Sequence, residues 1–177
     1  GAMMGVLRVD HPDIEEFIRS KKDETSLKGF NISVGVTDEF MEAAVKGTPF
    51  DLKFKGVIHD TINAKALWDE IMRNNWDWAE PGVLFLDRIN EENPLNYIEC
   101  IEATNPCGEQ PLPAYGACLL GSFNLTKYLT IVENPHLSEE DEKNYFNFNQ
   151  LKEDIPHVIR AMDNVIDRTE YPLPEQE

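Results

Sequence analysis

The first part of the sequence alternates between strand-like and helix-like patterns of apolar residues. Residues 4–10 and 30–36 have the spacing of strands, and each precedes an amphipathic segment. Pro12 suits the first turn of the first helix, and Thr37 is a favourable N-cap for the second. This strand–helix–strand–helix order predicts an α/β architecture with parallel strands.

The middle of the sequence continues with a hairpin, a long helix and a short strand. Residues 50–59 fit a small hairpin or an extended arm, with Gly56 near the turn, and residues 64–78 have helical apolar spacing. Residues 83–86 are wholly apolar, which predicts a strand buried on both faces. Three tryptophans fit packing in the core better than a chain for electron transfer: Trp68, Trp76 and Trp78.

The remaining sequence surrounds a loop rich in proline and glycine. Strands are predicted before and after this loop, at residues 97–103 and 118–125, and residues 131–149 predict an acidic surface excursion. A last helix is expected over residues 151–167. Its apolar side should face inward and comprises Ile155, Val158, Ile159, Met162, Val165 and Ile166.

Composition and charge narrow the classes of function. The 177 residues suffice for one domain with a core, and a formal charge of −17 disfavours direct binding to nucleic acid. No stretch of about 18 apolar residues is present, so no membrane span is expected. The three cysteines and the lack of a basic, apolar leader favour free thiols in a reducing compartment such as the cytoplasm.

A metal site is not expected from the cysteines and histidines. The sequence has no CxxC pair, and His11 fits a turn that leads into a helix better than a metal ligand. Cys100 lies on the strand predicted before the loop. It is expected to be a core or barrel-wall residue, because free cysteines are usually buried.

The loop at residues 105–110 (NPCGEQ) is the segment with the clearest chemistry. Its proline and glycine favour a tight turn, so Asn105, Cys107 and Glu109 could project to one side of the tip. A carboxylate beside a thiol disfavours the thiolate, and the loop has no histidine to act as a base. The pattern suits a neutral thiol or thiyl radical, with Glu109 exchanging protons with a substrate. The alternative is a turn around an inert, buried cysteine.

Several motifs in a fixed order resemble one enzyme family. The segment TNPCGEQPLPAYGACLLGSFNL resembles the active-site finger loop and following strand of ribonucleotide reductases. MGVLRVDHPDIEEFI resembles the strand and helix after that family's specificity-effector loop, and FNISVGVTDEFM, LWDEIM and AMDNVIDRTEYPLP match in the same order. The NPCGEQ spelling is most similar to the adenosylcobalamin-dependent (class II) branch. The resemblance implies that residues 1–177 are part of a ten-stranded α/β barrel, excerpted from a larger chain, with a central finger loop carrying the active cysteine.

The resemblance also implies a role for each residue of the site. Cys107 would become a thiyl radical and abstract the ribose 3′ hydrogen, and Glu109 would take the 3′-hydroxyl proton. Asn105 would bind the sugar hydroxyls, and Cys118 would be one of two cysteines that form a disulfide as they reduce the sugar. The implied partners are a ribonucleoside di- or triphosphate, adenosylcobalamin in the complete enzyme, and a thioredoxin-like reductant.

Other interpretations of the sequence stay open at this point. A non-catalytic fragment, or a complementing piece of a split reductase, would carry the same motifs. Another radical-barrel enzyme is a further alternative, although no glycyl-radical loop occurs in the sequence. An incomplete barrel exposes strand edges and apolar helix faces, so the isolated chain is expected to self-associate and to lack turnover.

Overall fold

A parallel sheet is the centre of the first of two units, Gly1–Gly116 and Ala117–Glu177. The structure is a computed structural model that describes residues 1–22, 27–130 and 145–176. In chain order, the first unit contains β1 (Met3–Arg8), α1 (Ile14–Arg19), β2 (Phe30–Val36), α2 (Asp38–Lys46), β3 (Pro49–Phe54), β4 (Val57–Asn63), α3 (Ala64–Trp78), β5 (Gly82–Phe85), α4 (Leu86–Glu91), β6 (Ile101–Thr104) and β7 (Pro111–Pro113). The sheet has the order β1-β2-β5 with all strands parallel, which confirms the predicted α/β architecture.

Helices α1, α2 and α3 supply the core of this unit together with one face of the sheet. Phe40 of α2 has no exposed surface and packs edge-to-face on Phe50, with 5.2 Å between the ring centroids. Burial of side chains of this size is the largest favourable contribution to folding. The other residues of the same cluster that have no exposed surface are Val9, Ile14, Val34, Ala64 and Ile71.

Local signals in the sequence fix the ends of these elements. The Thr37 hydroxyl accepts a hydrogen bond from the Phe40 backbone N–H at 3.2 Å, as expected of an N-cap. Gly47 ends α2 in the left-handed conformation at φ 68°. Strands β3 and β4 form the predicted hairpin with Gly56 at its turn, and α3 spans the predicted residues.

Several predictions for the first unit are wrong in position or burial. Strand β5 is only half-buried and ends in the exposed Phe85, because it is an edge strand of its sheet in the described part of the chain. Strand β6 begins at Ile101, four residues later than predicted from residue 97. Trp68 packs against the core, but Trp76 and Trp78 are exposed. These two side chains lie in the last turn of α3 and point in different directions, because helix positions two residues apart do not share a face.

The second unit is a long helix with short extended segments. It contains a 3₁₀ turn (Leu125–Tyr128), β8 (Leu129–Thr130), β9 (Tyr145–Phe146), α5 (Phe148–Arg168) and a second 3₁₀ turn (Pro174–Gln176). The strand predicted over residues 118–125 is wrong, because no neighbouring strand pairs with these residues in the described part of the chain. Most of the predicted acidic excursion lies outside the described residues.

Helix α5 matches its predicted position but not its predicted burial. None of its side chains is buried, so the inward orientation of its apolar side is wrong. A helix can bury an apolar stripe only against another surface. Val158 and Met162 are half-buried, and the described residues leave most of the remaining stripe uncovered. The apolar side chains that are exposed include Ile155, Ile159, Val165 and Ile166. Among the described residues, no helix is both long and apolar enough to cross a membrane.

Candidate active site

The β6–β7 hairpin presents the residues 105–110 at its tip. The backbone N–H of Asn105 donates to the carbonyl of Gln110 at 3.2 Å, and the N–H of Gln110 donates to Asn105 Oδ1 at 3.0 Å. Within this ring, the Gly108 N–H donates to the Asn105 carbonyl at 3.0 Å, with Gly108 at φ 87°. A side chain other than hydrogen is strained in that conformation, so glycine allows the tight turn that the sequence predicts.

The loop exposes two of its three reactive side chains. Cys107 and Glu109 are exposed, and Asn105 is half-buried with its side-chain oxygen engaged by the loop. The alternative of a buried cysteine is therefore wrong for this unit. The structure brings Asn105, Cys107 and Glu109 into one hairpin turn, whereas Cys118 is an exposed residue of the second unit.

Cys100 does not have the predicted burial. It is exposed and lies just before β6, where its Sγ is 4.0 Å from the carbonyl oxygen of Ile101. Asn90 takes the hydrogen bonds that a neighbouring strand would make at this point, because its amide bonds both the N–H and the carbonyl of Ile101 at 2.8 Å. The start of β6 is therefore held by α4, and the thiol of Cys100 stays exposed to solvent.

A cavity of about 320 Å³ separates the hairpin tip from the amino-terminal ends of the sheet strands. The tip contributes Pro106, Cys107 and Gly108. The sheet contributes residues of the face that points away from α1, α2 and α3. Four residues of that face line the cavity: Met4, Asn31, Ser33 and Gly82.

Small and polar residues on this face were not predicted as part of a site. Along β2, apolar Ile32, Val34 and Val36 are buried, and Asn31, Ser33 and Gly35 occupy the alternate positions. The alternation in FNISVGV is the signal that could have identified them, since successive strand residues face opposite sides. A polar and glycine-rich face opposite a hydrophobic one is typical of a surface that faces a cavity.

Glu80 fixes the strand ends at the edge of the same cavity. Its Oε1 accepts a hydrogen bond from the backbone N–H of Ile32 at 2.9 Å. Its other oxygen pairs with Lys21, which also donates to the carbonyl of Phe30. Both carboxylate oxygens are thus used in holding the start of β2.

Histidine and acidic side chains do not converge on a metal site within the described residues. His11 lies in the turn before α1, where its Nδ1 accepts a hydrogen bond from the Asp13 N–H at 3.1 Å. This confirms that His11 belongs to the turn that leads into the helix.

Comparison with known protein families shows the family to which this chain belongs. The sequence matches the family described as "Ribonucleotide reductase, barrel domain" over residues 1–177. The chain belongs to the ribonucleotide reductase family. The resemblance inferred from the motifs is thereby confirmed, and a reductase is an oxidoreductase.

Individual relatives of this reductase segment agree with the family match. The chain is 42% identical over 177 residues to a vitamin B12-dependent ribonucleoside-diphosphate reductase of Thermoplasma acidophilum, covering 98% of this chain and 22% of the relative. It is 39% identical over 178 residues to an enzyme of the same name from Mycobacterium tuberculosis, covering 99% of this chain and 24% of the relative. The chain therefore spans under a quarter of the length of these curated relatives.

A solved structure supports the fold of the reductase segment. The α subunit of the class Id ribonucleotide reductase of Actinobacillus ureae aligns with a TM-score of 0.51 at 20% sequence identity. The alignment covers 62% of this chain and 19% of that subunit. At this identity the likeness concerns the α/β fold alone.

Proposed function

We propose that this chain forms part of the catalytic barrel of an adenosylcobalamin-dependent ribonucleotide reductase, which converts ribonucleotides to deoxyribonucleotides. The observation that carries the proposal is the exposed Cys107 at a hairpin tip, in the same turn as Asn105 and Glu109. The β6–β7 hairpin would be the finger loop of a ten-stranded α/β barrel, and the three parallel strands would belong to its wall. The names of the relatives favour ribonucleoside diphosphates as substrates.

The radical chemistry requires a thiol that an outside group can reach. Adenosylcobalamin, when bound, supplies a radical able to remove the hydrogen atom of a thiol. Cys107 fits this requirement because its side chain is exposed on a turn held by its own backbone hydrogen bonds. We expect Cys107 to meet that group, with most of the remaining contacts supplied by other parts of the complete enzyme.

Each reactive residue of the turn has a separate role in the reaction at the sugar. The Cys107 sulfur takes the hydrogen atom from ribose C3′, and Glu109 accepts the 3′-hydroxyl proton as a general base. The Oδ1 of Asn105 is already bonded to Gln110, so its amide N–H groups are left to donate to a sugar hydroxyl. These contacts position the 2′-hydroxyl, which takes a proton from one of the two reducing thiols and leaves as water. After the sugar has been reduced, the Cys107 sulfur returns its hydrogen atom to C3′.

Reduction of the sugar radical consumes two thiols. We assign one of them to Cys118, and a second cysteine elsewhere in the barrel would complete the pair. The two thiols give up two electrons and two protons and become a disulfide, which a thioredoxin-like protein reduces after each turnover. Exposure of the Cys118 side chain suits this exchange, because the attacking thiol must reach the disulfide. Such an enzyme would work in the reducing cytoplasm.

The chain on its own should behave as an incomplete enzyme. Its length is under a quarter of that of its relatives, and the apolar side of α5 is exposed. We therefore expect no turnover and self-association when it is isolated. A complementing piece of a split reductase would have the same properties, and would gain activity when mixed with the missing part.

The decisive experiment uses the complete reductase that carries this segment. The enzyme is supplied with adenosylcobalamin, dithiothreitol and cytidine diphosphate labelled with tritium at C3′. Cys107→Ser should abolish both tritium release and deoxycytidine diphosphate, because nothing then removes the 3′ hydrogen. Cys118→Ser should abolish sustained deoxynucleotide formation and retain tritium release, since it acts after that step.

Two more variants complete this test. Glu109→Gln should lower the rate by about 10²- to 10⁴-fold, the usual contribution of a general base. Cys100→Ser removes an exposed thiol outside the turn, so it should keep the activity of the wild type. Deoxynucleotide formed by Cys107→Ser would refute the proposed function.

A further inference from the structure

We propose that Ser33 is a further substrate-binding residue, whose hydroxyl forms a hydrogen bond with a ribose hydroxyl of the nucleotide beside Cys107. This inference rests on the proposed function and adds a residue from the wall of the sheet to those of the hairpin turn. It follows from the burial of Ser33, its missing partner, the glycine opposite it and the cavity that it shares with Cys107.

Ser33 lies within β2 and has a hydroxyl that needs a partner. Ser33 is 5% exposed, and it is one of the residues that line the cavity next to the hairpin tip. Its Oγ forms no hydrogen bond with another described residue, and it is not among the enclosed polar atoms of the described residues, so it is open to the cavity. A hydroxyl that is fixed on a cavity wall and has no protein partner is free to bond a molecule in that cavity.

Gly82 keeps the space around this hydroxyl free. It is paired with Ser33 in the parallel register between β2 and β5. A Cβ atom at position 82 would lie 2.6 Å from Ser33 Oγ, which is closer than such atoms approach. Any other residue at position 82 would force the Ser33 hydroxyl out of its present position. Gly82 therefore allows this hydroxyl, which can both donate and accept a hydrogen bond, to stay at the cavity wall.

The other polar groups of the cavity are less suited to a preformed contact. Both carboxylate oxygens of Glu80 are bonded, one to the Ile32 N–H and one to Lys21. Asn31 is exposed, so ordering its side chain would cost conformational entropy. Ser33 is held in place by burial and offers both a donor and an acceptor.

The size and position of the cavity indicate a sugar as the bound group. Its volume of about 320 Å³ is at the lower end of ligand pockets, which suits a ribose better than a complete nucleotide. It is bordered by Cys107, which would act on ribose C3′. A sugar hydroxyl is also donor and acceptor, and it thus matches Ser33.

The test compares Ser33→Ala with a matched serine in the complete reductase. Binding of cytidine diphosphate is measured by equilibrium dialysis without cofactor, and KM and kcat are measured with it. Ser33→Ala should raise Kd and KM about 2- to 12-fold, the effect of one hydrogen bond, with kcat changed less than about twofold. Ser20→Ala removes a hydroxyl that bonds the Phe17 carbonyl at the end of α1, so it should leave Kd and KM unchanged.

Gly82→Ala provides a second, stereochemical test. It should weaken nucleotide binding in the wild type, because its methyl group displaces the Ser33 hydroxyl. In the Ser33→Ala background it should have little further effect, since the remaining Ser33 Cβ position is 3.7 Å away. Additive effects of the two substitutions, or an unchanged Kd for Ser33→Ala, would overturn the assignment of Ser33. That result, together with an inactive Cys107→Ser, would leave the proposed function standing, whereas an active Cys107→Ser would remove both.

Discussion

The two units of this chain use amphipathic helices in opposite ways. In the unit Gly1–Gly116, helices α1, α2 and α3 bury their apolar sides on one face of the sheet and form a continuous core. In the unit Ala117–Glu177, α5 is longer than any of these helices, and none of its side chains is buried. A strong helical pattern in the sequence therefore specifies the helix, but it does not specify whether the same chain supplies the surface that covers it.

The largest effect should come from a cavity in the core of the first unit. Phe40→Ala removes a ring with no exposed surface that packs on Phe50 and should lower the free energy of unfolding by about 3–5 kcal/mol. Ile159→Ala removes an apolar side chain of α5 that is 55% exposed and should cost less than about 1 kcal/mol. Urea titrations of both variants, followed by circular dichroism, measure the difference. Similar losses in both variants would contradict the contrast between the units.

Predictions from the sequence were confirmed where they rest on local signals, and they failed where they concern burial. In the first unit, the helix cap at Thr37 and the hairpin turn at Gly56 are local signals, and both of them are confirmed. Burial is not local, because it depends on which surfaces meet. Trp76 was expected in the core and is exposed, although its helix spans the predicted residues.

The candidate site separates in the same manner into local and non-local parts. The turn around Cys107 could be read from its own residues and from the family resemblance. The proposed role of Ser33 could not be predicted from the sequence, because it depends on Gly82 on the neighbouring strand and on the hairpin tip across the cavity. Both neighbours are distant in sequence, so the alternation in β2 indicated only that one of its faces is polar.

The next largest effect concerns the exposed side of α5. If that side drives self-association of the isolated chain, the double variant Ile159→Glu, Ile166→Glu should convert assemblies to monomers, because each apolar side chain buried at a contact contributes about 1.5–3 kcal/mol. Light scattering coupled to size-exclusion chromatography at increasing concentration measures this change. Val45→Glu is the matched control, since Val45 is 83% exposed on α2 of the first unit. A wild-type chain that stays monomeric at high concentration would contradict this expectation.

The smallest effect concerns an ion pair that joins α1 to α3 in the first unit. Arg19 donates two hydrogen bonds to Glu70, at 2.5 and 2.7 Å, and these bonds lower the pKa of Glu70 below its ordinary value. A carboxyl whose folded-state pKa is lowered stabilises the fold above its unfolded-state pKa of about 4.3. That stabilisation is lost as the pH falls through the lower, folded-state pKa.

Glu70→Gln should therefore lower the free energy of unfolding at pH 7 by about 0.5–1 kcal/mol, because Arg19 is half-exposed and solvent screens the pair. The difference between variant and wild type should shrink as the pH falls below about 4.3, since the wild type then loses the same charge. Urea titrations at a series of pH values measure it. Glu42→Gln removes a fully exposed partner of Lys46 within α2, so its effect should be smaller at every pH. A Glu70→Gln difference that persists unchanged at low pH would mean that packing between α1 and α3, and not the ion pair, holds these helices together.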